Sequence, residues 1–216
     1  MTELTDSLPP LQRLALAYAP APTRALWAAL LALDGRLAGV VRQVGLAGKE
    51  PMIAQLRLAW WRDRLQEPAA QWPAGEPLLA ALAGWQGQHG ALAALVDGWE
   101  HLLAEAPLPA YAMTAWADGR AHAASGLAAL LGADAQAAAA LARAWSLADL
   151  AAHLSAPEEQ AEARRLWQEA PLPPRAPRAL RPLAVLGGLA RREAAGTPAR
   201  GVNGLILALR LGLWGA

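Results

Sequence analysis

Glu50-Pro51-Met52-Ile53-Ala54-Gln55-Leu56-Arg57-Leu58-Ala59-Trp60-Trp61-Arg62-Asp63-Arg64-Leu65 is the densest stretch of the chain. Proline at a first helical position loses nothing by lacking an amide, and the good helix formers behind it predict a helix that stops near Glu67-Pro68. Ile53, Leu56, Trp60 and Leu65 can share one apolar stripe. Arg57 and Trp61 then stand four apart on the adjoining strip, where a guanidinium can lie over an indole. Packing accounts for the tryptophans, but Arg57 beside the stripe needs an acid, a backbone carbonyl or a bound anion.

The helical pattern extends in both directions. Of 216 residues, 56 are Ala and 40 are Leu, both strong helix formers, while two Ile and no Phe leave little material for strands. The expected fold class is therefore all-α: a single-domain helical bundle over 1–216, with no fixed-period repeat. After a short first helix ended by Pro20, Thr23 is the expected N-cap of a long helix to about Val44, closed by Gly45 and Gly48. Further helices are expected at 78–85, 90–105, 109–132, 134–154 and 158–169. Pro77 to Val96 is uncharged and long enough to span a membrane, but Gln86-Gly87-Gln88-His89-Gly90 in its middle reads as a break between two helix pieces. The segment 171–182, with five prolines and three arginines, is a strap before two C-terminal helices at about 182–194 and 200–214.

Composition narrows the function. A net charge of +1 leaves no overall field to attract phosphates, so nucleic acid is not an expected partner. The absence of Cys excludes disulfides and thiolate metal sites. Met1 to Pro10 lacks the basic and apolar regions of a signal peptide, and a cytoplasmic address is expected. Residues 171–216 carry seven Arg against Glu193 alone, so that segment can make peripheral contact with an anionic inner membrane face, or serve as an ordinary basic surface.

Two acids point inward. In the helix 23–44, Trp27, Leu30, Leu31, Asp34, Ala38 and Val41 share a face, so Asp34 must accept hydrogen bonds, pair with an arginine such as Arg36 or Arg42, bind a cation or stay protonated. In the helix 134–154, Asp149 shares a face with Trp145 and lies four residues from His153. That spacing makes a structural Asp–His hydrogen bond or, less simply, two ligands of a divalent ion.

Arg57-Leu58-Ala59-Trp60-Trp61-Arg62-Asp63 preceded by Glu50-Pro51, together with Ala29 to Asp34, Leu95-Val96-Asp97-Gly98-Trp99-Glu100 and the helix holding Asp149, resembles the squalene/phytoene synthase family. The resemblance implies an isoprenoid synthase fold with a central apolar cavity. Working members of that family hold Mg²⁺ between two aspartate-rich motifs and ionise prenyl diphosphates. Here the motif positions reduce to Asp34 and to Asp149 with His153, because Leu37 and Ala38 stand where further acids belong. Glu50, Pro51, Trp60, Trp61 and Asp63 carry the signature, and Arg57 and Arg62 are the diphosphate or anion contacts that the resemblance suggests.

The chain is most similar to the branch of that family with degenerate aspartate motifs, which includes a mitochondrial complex I assembly factor. That similarity implies a non-catalytic protein without a cofactor, binding a protein partner or an isoprenoid-like or other lipid ligand. Two alternatives stay open. One is an active Mg²⁺-dependent prenyltransferase on farnesyl or geranylgeranyl diphosphate, using Asp34, Asp149 and His153 with Arg57 and Arg62. The other is an unrelated helical domain of similar composition.

Overall fold

A computed structural model describes residues 2–215, and they are 77% helical with no strand. The elements are α1 (Thr2–Ser7), α2 (Pro10–Ala17), α3 (Arg24–Gly39), α4 (Pro51–Gln66), α5 (Pro77–Leu82), α6 (His89–His101), α7 (Ala110–Leu130), α8 (Ala135–His153), α9 (Pro157–Glu169), α10 (Arg181–Ala194) and α11 (Val202–Trp214). The expected all-α bundle is therefore present. Its prolines sit where the chain predicts: Pro51, Pro77, Pro157 and Pro182 open helices in their first turns, and 171–177 runs without helix as the strap. The uncharged stretch from Pro77 breaks as expected, with a 3₁₀ turn at Ala83–Trp85 and Gly87 at φ +78° before α6 begins.

Most of the packing runs α4–α6–α7–α8–α10–α11, with α3 laid against α5, α6 and α7. α7 is the middle of this array and is buried on almost every side. Alanine and glycine make that position possible: Ala112, Ala117, Gly119, Ala121, Ala123, Ala124, Gly126 and Ala128 are all buried, and short side chains let helix axes approach. The closest approach is at Gly98 on α6 and Gly119 on α7. A Cβ on Gly119 would lie 2.7 Å from the Ala94 carbonyl oxygen and 2.9 Å from Gly98 Cα, which real side chains do not tolerate.

Two local expectations are corrected. Thr23 precedes α3, but its hydroxyl donates to the Pro20 carbonyl at 2.9 Å within a 3₁₀ turn instead of accepting from the helix amides. The long helix also does not end at Val44. It widens after Gly39 into a π-helical segment over Val40–Ala47, and Gly45 there packs onto Leu103 and Ala54. Lys49, at φ +57°, then reverses the chain into α4.

The apolar stripe of α4 is also different from the one expected. Ala54, Leu58, Trp61 and Leu65 are buried, whereas Met52, Ile53, Leu56 and Trp60 face solvent. Both sets have helical spacing, because α4 is apolar on two faces, and the neighbours α6 and the π-helical segment select one of them. Trp61 consequently takes Arg36, not Arg57, over its ring, at 5.7 Å.

Gly119→Val should lower stability by about 2 kcal/mol or more, since the helix backbones themselves must separate. Gly35→Ala, in a helix with nothing within 4 Å of the new methyl, should raise it by about 0.5–1 kcal/mol. Urea unfolding midpoints of the two variants, moving in opposite directions, check this pair.

Candidate functional site

Asp34 and Asp149 face one another across α7, and Arg120 of α7 lies between them. Arg120 Nε donates to Asp34 Oδ1 at 3.0 Å and Nη2 to Asp34 Oδ2 at 2.6 Å, a two-pronged pair. Nη1 of the same guanidinium donates to Asp149 Oδ2 at 2.9 Å. Trp99 of α6 adds a bond from its Nε1 to Asp34 Oδ1 at 2.8 Å. Only 6% of Arg120 is exposed, and its guanidinium is stacked 4.3 Å from the Trp116 ring centre, 4.2 Å from Trp145 and 5.5 Å from Trp99. Indole faces carry negative potential, so this aromatic cage stabilises the cation as well as excluding water.

His153 completes the group from the C-terminal end of α8. Its Nδ1 lies 2.8 Å from the Asp149 carbonyl oxygen and 3.3 Å from Asp149 Oδ1, the structural Asp–His contact that the four-residue spacing suggested. The Asp149 hydrogen bond raises the imidazole to about 9, against burial that would lower it. Burial pushes the Asp149 carboxyl up, yet the hydrogen bond from His153 and the Arg120 charge outweigh it and hold it below the usual carboxylate range. Burial likewise lowers Arg120, and the charges of Asp34 and Asp149 more than offset it. Arg120 thus answers both carboxylates, and His153 gives Asp149 a second partner.

That donor set does not fit a magnesium cluster. Such a cluster needs several hard oxygens converging on one point. Both oxygens of Asp34 instead accept from the guanidinium, and Asp149 is shared between Arg120 and His153. Among the described residues, no three His, Cys, Asp or Glu side chains gather in a manner able to hold a metal ion. Between Asp34 and Asp149 the interior is filled by the Arg120 guanidinium and the rings of Trp99, Trp116 and Trp145.

The remaining sequence candidates separate. Arg62 ion-pairs with Asp97 and Glu100 of α6 through Nε and Nη2, which ties α4 to α6. Glu50 and Pro51 start α4, and Asp63 lies exposed on it. Trp60 meets Trp61 edge to face at 5.0 Å. Arg57, for which a partner was expected, is exposed at the mouth of a cleft of about 450 Å³ between α1, α3, the π-helical segment and α4. Arg36 and Arg42 share that lining with Leu8, Leu31 and Val40, and among the described residues no acid lines it. Arg36 reaches Glu76 at 3.4 Å, and Arg42 donates to the Ala38 carbonyl at 3.4 Å, so neither supplies the partner of Asp34.

Arg120 is the residue that reading the sequence missed. It is the lone cation in α7 between Gly119 and Ala121, four residues after Trp116. Two inward aspartates on the flanking helices already required a buried cation, and that demand was the available signal.

An all-α bundle closed around a buried carboxylate–guanidinium–carboxylate group is the class of protein that fold and site define. No protein-family model, curated protein or solved structure matches the chain.

Arg120→Leu should destabilise the protein by about 3–5 kcal/mol, because two buried carboxylates lose their counter-charge. Asp34→Leu combined with Arg120→Leu should cost clearly less than the sum of the two single changes, measured by urea unfolding as a double-mutant cycle. For pH, the His153 pKa of about 9 lies above its ordinary 6.5. Its contribution is therefore full below that ordinary value and lost as pH rises through the folded one. His153 is mostly in solvent, so the slope is shallow, and His153→Gln should remove it from thermal melts across that window.

Proposed function

We propose that this is a squalene/phytoene synthase-like protein that works by binding, without prenyl transfer: a partner- or lipid-binding protein of the assembly-factor kind, acting in the cytoplasm. One observation carries this reading. Arg120 takes up the carboxylates at both aspartate-motif positions, so they hold three helices together where a synthase would hold metal and diphosphate. An arginine in that place also repels the divalent cations that diphosphate ionisation depends on.

The ligand surface in this reading is the arginine-lined cleft. Arg36, Arg42 and Arg57 offer planar donors to an anionic head group, and Leu8, Leu31 and Val40 offer apolar area to a chain attached to it. Trp60 and Trp61 flank a smaller hollow of about 200 Å³ that shares Arg36 and Arg57, and both tryptophans are natural reporters of occupancy.

Purified protein incubated with Mg²⁺ and farnesyl or geranylgeranyl diphosphate should release no diphosphate above a protein-free control. Release that Asp34→Ala abolishes would overturn the proposal. Without Mg²⁺, farnesyl diphosphate used as an amphiphilic anion should quench tryptophan fluorescence, and Arg57→Gln should weaken that binding about tenfold or more, the loss of one charge-assisted contact.

A further inference from the structure

α11 is apolar on every face except at Asn203 and Arg210, yet only one side of it is covered. Gly204, Ala208, Leu211 and Gly212 are buried, and the helix packs chiefly on α10. On the opposite side Val202, Leu205, Ile206, Leu209 and Leu213 form an exposed stripe at helical spacing, with Val202 74% and Ile206 58% accessible, and exposed Trp214 stands at its C-terminal end. A helix apolar all round belongs in a nonpolar surrounding, so the outer face of α11 lacks its cover.

The charges around the stripe specify that cover. Arg200 precedes the helix and Arg210 lies on it beside the stripe. Arg175 donates from Nε to the Trp214 carbonyl at 2.8 Å, which places a third arginine at the C-terminal end. Arg191 of α10 is the fourth; burial first, and then the like charge of Arg210, hold it below the ordinary arginine value. Between Ala194 and Gly215 the sequence has no acid, and Glu193 is the single acid of 171–216. Among the described residues no carboxylate answers these arginines on this face. An apolar stripe rimmed by uncompensated arginines and ended by tryptophan is complementary to an anionic lipid surface, where acyl chains receive the aliphatics, the head-group layer receives the indole, and lipid phosphates receive the guanidinium groups.

We infer that α11 is an in-plane membrane helix that docks the protein on bilayers rich in anionic lipid. With 13 residues, α11 is about 20 Å long, short of the hydrocarbon thickness of roughly 30 Å. Among the described residues no helix is long and apolar enough to cross a membrane, so the contact is peripheral. The inference does not depend on whether the protein is catalytic, because it involves neither Asp34 nor the arginine cleft.

Co-sedimentation with vesicles of pure phosphatidylcholine, and of phosphatidylcholine mixed with phosphatidylserine, tests it on the full chain. Wild-type protein should pellet with the mixed vesicles and much less with the neutral ones. Arg210→Glu should weaken the association about fivefold or more, and Ile206→Ser with Leu209→Ser should abolish it. All three side chains changed here are solvent-facing, and circular dichroism of the variants verifies that the bundle stays folded. Equal pelleting with both vesicle types, no pelleting with either, or binding untouched by the serine pair would overturn the inference. So would sedimentation velocity showing a wild-type dimer that the serine pair converts to monomer, since the face would then be covered by a second copy of the chain.

Discussion

A guanidinium buried in the middle of a helical bundle constrains everything around it. Removed from water, the Arg120 charge is tolerable only with anions at hydrogen-bond distance on fixed sides. Asp34 must therefore come from α3 on one side and Asp149 from α8 on the other, with Trp99 of α6 pinning the first carboxylate. Four helices meet at this one side chain, and a shift of any of them along its axis by one residue would move a partner out of reach. The small residues of α7 serve the same requirement, since α6 and α8 must lie close enough to be spanned by one arginine.

The segment Asp97 to Glu100 shows how tightly this arrangement is threaded. Asp97 and Glu100 hold Arg62 of α4, Gly98 admits the backbone of Gly119 on α7, and Trp99 reaches Asp34 on α3. Within a single turn, α6 thus makes a polar link to one helix, a bare backbone contact with a second and a hydrogen bond to a third. The signature around Trp60-Trp61-Arg62 and the segment around Trp99 are two sides of one seam. While these pairs satisfy the interior, the outer surface keeps exposed arginines at Arg57 and around α11, which is where binding has room to occur.

Much of the architecture was legible in the chain. Alanine and leucine content set the fold class, and Pro51, Pro77, Pro157 and the strap prolines set the helix limits, because proline's missing amide acts locally whatever the tertiary surroundings. The inward orientation of Asp34 and the Asp149–His153 contact were likewise visible, being properties of a single helix surface with 3.6-residue periodicity. The π-helical widening at Val40 and the diverted hydroxyl of Thr23 were not, since each is decided by what the neighbouring segment offers.

The sequence by itself determined which segments are helical and that two aspartates had to be satisfied inside. Only the tertiary structure decided how. The choice between two equally spaced apolar faces on α4, the selection of Arg120 over the nearer Arg36 and Arg42, and the uncovered side of α11 all depend on which helix lies against which. Periodicity constrains a helix about its own axis, whereas partnership between residues as far apart as Asp34 and Arg120 is settled by packing across the bundle.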